Sequence, residues 1–261
     1  MRFIAKQHEP RELLQWKTEN AYTPHLLRYG GGGFPMEQVR QALLAEQSHL
    51  CAYTMKPLRT PAECVERGND TRDACHIEHV RPQSRRVDGE DIDYQNMVAC
   101  FPPSLNEQAC EFGAKYKDDF DPVTGRYIAR DRMTKAKHEV ESLALLGQFV
   151  APFAQQVENH FSYSKTGEMA GTTDNGKLTV AVLNLNHVHL VNDRRAAIKG
   201  ALTPGGRRLS AAKARALARH CLQPDGRNCA TPYCLAIAAA AMAFAVQEEK
   251  RAARTRGARA V

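Results

Sequence analysis

A chain of 261 residues with 43% apolar and 25% charged residues has the make-up of an ordinary globular protein, which excludes wholesale disorder. Its length suits one large domain or two small ones. A net charge of +7 and a pI of about 9.0 suit a polyanionic partner, nucleic acid most simply, and serve plain solubility equally well.

The first eight residues carry no long apolar core and do not read as a signal peptide. Residues 9–19 read as a short helix, with Pro10 suited to a first turn and Leu13, Leu14 and Trp16 as its apolar face. Glycines 30–33 form a break, and Val39, Leu43, Leu44 and Leu50 predict a helix over 36–50. Residues 51–117 change texture. Cysteines and prolines are frequent and helical periodicity is poor, which suggests a hairpin-and-loop unit that leans on a metal, since about 65 residues have a meagre core of their own. Within it, 76–80 reads as a strand and 91–99 as the start of a helix capped by Asp91 or Asp93.

Residues 118–132 are polar and turn-rich, and 133–149 reads as an amphipathic helix. A hairpin is expected over 161–169 around Lys165-Thr166-Gly167. Residues 178–190 are apolar and β-branched, with His187 and His189 alternating as on an exposed strand face. Helices are expected over 194–202, 209–222 and 235–246, the last running into a basic tail. The longest apolar stretch, 234–246, falls well short of the ~20 residues that span a bilayer. No membrane partner and a cytoplasmic location are therefore expected. Thiols stay reduced there, so the eight cysteines are expected to be metal ligands or buried hydrophobes rather than disulfides.

The chemistry concentrates at Glu78-His79. Phosphodiester hydrolysis needs a deprotonated water, neutralised phosphate charge and help for the leaving oxygen. A neutral imidazole can take the proton, and a neighbouring carboxylate can hold a hard divalent cation. Seventeen residues on stands Asn96, of the type that fixes an imidazole by hydrogen bonding. Cys51 precedes the pair, and Cys100, Cys110 and Lys115-Tyr116-Lys117 follow.

This order resembles the HNH (ββα-metal) nuclease family. The runs Glu9-Pro10, Cys51-Ala52-Tyr53-Thr54, Ile77-Glu78-His79-Val80-Arg81-Pro82-Gln83-Ser84, Tyr94-Gln95-Asn96-Met97, Phe112-Gly113-Ala114 and Leu183-Asn184-Leu185-Asn186 are similar to the PtuB-type effectors of Septu and retron-linked anti-phage systems. The similarity runs over about 1–202 and is dense in 51–117. It implies an α+β fold, a mostly helical chain with a ββα-metal hairpin-helix nuclease core, divided into 1–50, 51–120 and 121–261. It implies a DNA endonuclease with His79 as base, Asn96 positioning it, and Mg²⁺ or Mn²⁺ on Glu78 with Glu111; His76, on the strand face of Glu78, would touch the same ion or only hydrogen-bond locally. Arg81, Lys115 and Lys117 would contact nucleic acid. The implied partners are DNA and a PtuA-like SMC/ABC-type ATPase in a hetero-oligomer, with a retron reverse transcriptase and its product in some systems.

Two departures stand out. The family's zinc knuckle opens with Cys-x-x-Cys, and here the second place is Thr54. The family's last metal-binding His or Asn has no plain counterpart, Glu111 and Asn106 being candidates at unfamiliar spacing. A structural Zn²⁺ would draw on Cys51, Cys100 and Cys110, with Cys75 or Cys64 in place of the missing ligand. His220, Cys221, Cys229 and Cys234 form a second cluster, which reads better as packing around an alanine-rich helix. A non-catalytic, zinc-stabilised nucleic-acid-binding or adaptor protein is the competing reading; it needs the cysteines and not Glu78 or His79. A thiol hydrolase using Cys75 or Cys100 is a third, with no activated-cysteine signature to support it.

Overall fold

The structure, a computed structural model, describes residues 1–81, 83, 89–103, 110–117, 120–121, 126–127 and 149–257, with 120–121 and 126–127 described by their backbone. The fold is α+β. Helices α1 (Arg11–Glu19), α2 (Met36–Glu46) and α3 (Pro61–Glu66) precede an antiparallel pair, β1 (His76–His79) and β2 (Met97–Cys100). Helix α4 (Ala114–Lys117) follows, then the hairpins β3 (Phe120–Asp121)/β4 (Arg126–Tyr127) and β5 (Phe161–Tyr163)/β6 (Met169–Gly171). The chain continues through α5 (Asp174–Val182), α6 (Val188–Leu202), α7 (Ala211–His220) and α8 (Cys234–Gly257). No helix among the described residues is long and apolar enough to cross a membrane.

Local chemistry explains the boundaries. Helix α3 is fixed by a full capping box, Thr60 taking the Glu63 N–H and Glu63 taking the Thr60 N–H. Helix α2 stops at Glu46 rather than reaching residue 50, because Ser48 and His49 turn to φ 50° and 59°. The expected helix over 91–99 is a single 3₁₀ turn, Tyr94–Asn96, capped by Asp93; the chain then enters β2, where Met97, Val98, Ala99 and Cys100 are all buried. The apolar run 178–190 is helical, not extended. Thr173 caps α5 through the Gly176 N–H, Asn184 at φ 44° turns the chain, and His187 caps α6 by accepting from His189 N–H. Capping side chains at both starts thus outweigh the β-branched composition. The expected helix over 133–149 falls outside the described residues except for Phe149.

One buried cluster joins Met1 and Ile4, Leu13 and Trp16 of α1, α2, the β1/β2 pair and Phe149 to Leu190. A second packs Leu50 and Met55 against Ile198, Cys221, Tyr233 and the start of α8. The outer edge of β2 is closed by a side chain. The Gln47 amide accepts from Ala99 N–H at 2.7 Å and donates to Ala99 O at 2.8 Å, as a third strand would. The Gln47 amide and the Ala52 N–H thus cover Ala99 on the outer edge of β2, and Glu78 of β1 faces Lys117 of α4.

Candidate active site

Strand β1 pairs His76 with Cys100, Ile77 with Ala99, Glu78 with Val98 and His79 with Met97. The pleat sends His76 and Glu78 to one face and Ile77 and His79 to the other. Ile77 anchors the strand in the core.

His79 is buried at 6% exposure. Its Nε2 lies 2.8 Å from the carbonyl oxygen of Asp91. A carbonyl only accepts, so Nε2 carries the proton and Nδ1 holds the basic lone pair. The Gln83 amide donates to that lone pair at 2.9 Å. Burial pushes the His79 pKa below its usual value, and nearby Lys117 adds to this, opposed by the Asp91 carbonyl. The imidazole is thus neutral at neutral pH, the form a general base needs.

On the other face, His76 donates Nδ1–H to Pro102 O at 2.5 Å, which turns Nε2 to 4.0 Å from Glu78 Oε2. A metal-binding histidine usually donates its second ring N–H to such a carbonyl. His76 Nε2 and Glu78 Oε2 are the two groups here that could serve as ligands to a hard divalent ion. The other Glu78 oxygen, Oε1, is ion-paired with Lys117 Nζ, which also donates to His79 O at 3.1 Å. Gly113, at φ 73°, makes the turn that aims α4, and with it Lys117, at β1.

Asn96 is fully buried, and its amide grips the chain just past β1 rather than the imidazole. Oδ1 accepts from Arg81 N–H at 2.7 Å, and Nδ2 donates to Arg81 O at 2.9 Å and to Glu90 O at 3.2 Å. The expectation that Asn96 hydrogen-bonds His79 is therefore corrected: Asp91 and Gln83 hold the ring, and Asn96 holds the backbone that carries it.

The remaining expected residues scatter. Lys117 is 2% exposed and paired inward, so it does not present a charge to an outer phosphate. Arg81 is bridged by Asp93 at 3.1 Å and Glu90 at 3.4 Å, and Lys115 is half-buried on α4. Glu111 is exposed and paired with His187 Nε2 at 2.9 Å; that bond, not Glu78, is its partner. Asn106 and Ser84 lie outside the described residues.

Of the four cysteines expected around zinc, one pair is hydrogen-bonded, and Cys75 and Cys110 both feel the charge of Cys51. Cys51 and Cys100 are hydrogen-bonded, and Cys51 also bonds Thr54 and accepts from Phe101 N–H at 3.3 Å. These bonds pull the Cys51 pKa down to about 6 against the effect of burial. Cys75 bonds Arg40 instead, and burial pushes its pKa up to about 12. Cys110 donates to Phe112 O at 3.3 Å. Among the described residues no three His, Cys, Asp or Glu side chains form a group that could hold a metal ion. Cys221 and Cys234 are packed together in the second core cluster, as the packing reading of that run expected.

Sequence reasoning missed the roles of Asp91, Gln83 and Tyr29. Asp91 was visible as a cap candidate and Gln83 within the Pro-Gln-Ser run, whereas nothing around Tyr29 pointed to the site. No family model matches the chain, and no curated protein matches it.

Proposed function

We propose that this protein is a metal-dependent endonuclease of the HNH (ββα-metal) kind, which hydrolyses DNA phosphodiester bonds. The observation that carries the reading is the seating of His79 Nε2 on the Asp91 carbonyl, which calls for the Nε2–H tautomer. Its Nε2–H is tied to Asp91 O, and its Nδ1 lone pair is bonded by one amide on the exposed Gln83 side chain.

A water that displaces the Gln83 amide gives its proton to Nδ1 as its oxygen bonds to phosphorus and the P–O bond to the leaving oxygen breaks, and the imidazolium keeps its bond to the Asp91 carbonyl. Glu78 and His76 would hold Mg²⁺ or Mn²⁺, which when bound supplies charge to the phosphate and the leaving oxygen. Lys117 fixes the Glu78 side chain beside β1, and Asn96 keeps the exit of the strand from fraying. The resemblance to PtuB-type effectors supports a further part of the proposal, that the chain acts with an SMC/ABC-like ATPase in anti-phage defence. Co-purification with such an ATPase tests it.

The test of the chemistry is a DNA cleavage assay with Mg²⁺ or Mn²⁺. His79→Ala should cut more slowly by about 10²- to 10⁴-fold, the share a positioned base supplies, with fold and DNA binding intact. Cutting at the wild-type rate removes His79 from the mechanism. Tight zinc with no cleavage by wild type favours the adaptor reading instead.

A further inference from the structure

Asp91 makes two bonds in opposite directions. Its backbone carbonyl receives Nε2–H of His79 at 2.8 Å, and its side chain, through Oδ2, receives the backbone N–H of Tyr29 at 2.8 Å. The Tyr29 ring then stands edge-on to the His79 imidazole, centroids 4.7 Å apart and planes at 89°. Behind it runs an aromatic chain: Tyr29 to Phe34 at 5.1 Å and Phe34 to Trp16 at 5.1 Å, both edge-on. Trp16 Nε1–H closes on Gly32 O at 2.9 Å, so α1 locks the glycine-rich loop that delivers Tyr29.

We propose that Tyr29 is a positioning residue for His79, the last member of an aromatic wedge that runs from Trp16 and keeps the imidazole on Asp91 O. The inference rests on the reading of His79 as the base. Rotation of the imidazole about its Cβ–Cγ bond would exchange Nδ1 with Cδ2 and Nε2 with Cε1, breaking the Asp91 bond and turning the basic lone pair away. A ring packed edge-on blocks that rotation, and such contacts contribute about 0.5–1.5 kcal/mol beyond their buried area. The phenol oxygen reaches Met36 Sδ at 3.3 Å, a weak acceptor, so the ring and not the hydroxyl does the positioning.

The test is ¹⁵N-histidine NMR of the full chain, which distinguishes the two neutral tautomers, with the His79 signal assigned by its loss in His79→Gln. Wild type and Tyr29→Phe should show the Nε2–H form alone. Tyr29→Leu should show mixed tautomers and a kcat lower by on the order of tenfold at unchanged KM, the scale of loss from a slightly misplaced group. Asp91→Ala keeps the carbonyl but frees the loop, and should shift the same spectrum; it gives the reading if Tyr29→Leu does not fold. A pure Nε2–H form in the folded variants overturns the proposal. If the tautomers shift as stated while wild type cleaves nothing, the nuclease reading fails and the positioning role stands.

Discussion

The ammonium of Lys117 is ion-paired with the carboxylate of Glu78 and at the same time donates to the carbonyl of His79 at 3.1 Å. The two side chains are 3% and 12% exposed, so this is an interior pair that pins α4 to β1. Removing one member of such a pair leaves a buried charge without compensation and costs about 3–5 kcal/mol. Lys117→Met is expected to lower stability to denaturant by that order. Because the substitution leaves Glu78 without its cation, Mn²⁺ should restore the stability of the variant more than it raises that of wild type, through preferential binding to the folded state. Equal Mn²⁺ responses from the two proteins would mean that the ion does not bind at Glu78.

The depressed pKa of His79 predicts the acid limb of the pH–rate profile. Burial, then Lys117, favour the neutral ring, so Nδ1 keeps its lone pair below the ordinary value of 6.5. Protonation removes the base, so the rate should fall as pH drops, with a single-proton midpoint below 6.5. The same sign applies to stability. The unfolded chain takes up this proton first, so stability is lost as pH falls from 6.5 toward the folded pKa. A kcat profile whose acid midpoint lies above 6.5 would contradict the buried neutral base.

Asn96 gives a sharper substitution. Its amide donates to two carbonyls and accepts from one N–H, so Asn96→Asp keeps the acceptor and turns both donors into oxygens facing oxygens. An unmet buried polar group costs about 1–3 kcal/mol, and more when it is charged. Asn96→Asp should therefore destabilise the fold more than Asn96→Ala does, and should slow cleavage by loosening the backbone just past His79. Thermal unfolding and kcat of both variants check it; an Asp variant as stable as wild type would show that the carboxyl finds other donors.

The elements legible in the sequence were those with local signals. Trp16 and Leu13 in α1, the His76–His79 strand, the hairpin around Gly167 and the α7 and α8 helices follow from spacing and turn residues alone. Where competing signals met, composition misled: 178–190 is β-branched, yet Thr173 and His187 cap helices there. At the site, Glu78, His79 and Asn96 were legible because they sit in a short ordered run. The sequence points Lys117 at nucleic acid, whereas the structure buries it against Glu78, because burial of a lysine depends on where α4 docks. Asp91 acts on His79 through a main-chain carbonyl, which its side-chain identity does not encode. Tyr29 reaches the imidazole over a loop fixed by distant contacts with Trp16.

Thr54 marks the point where the cysteine pattern departs from a zinc knuckle, and the geometry turns that departure into a prediction. Cys51 already bonds Thr54 and Cys100, and its thiol is pulled down to about 6, so one thiolate is ready near neutral pH. Zinc takes thiolates at tetrahedral corners and favours three or four of them. Thr54→Cys places a third sulfur beside the Cys51–Cys100 pair without adding bulk to the buried site. The variant should retain more zinc than wild type after dialysis against a chelator, and zinc should raise its unfolding temperature while leaving wild type nearly unchanged. Metal content by mass spectrometry and melting curves with and without zinc decide it. Equal zinc content in the two proteins would show that residue 54 does not face a metal position, and that Cys51 and Cys100, the last residue of β2, serve only as packed, hydrogen-bonded thiols.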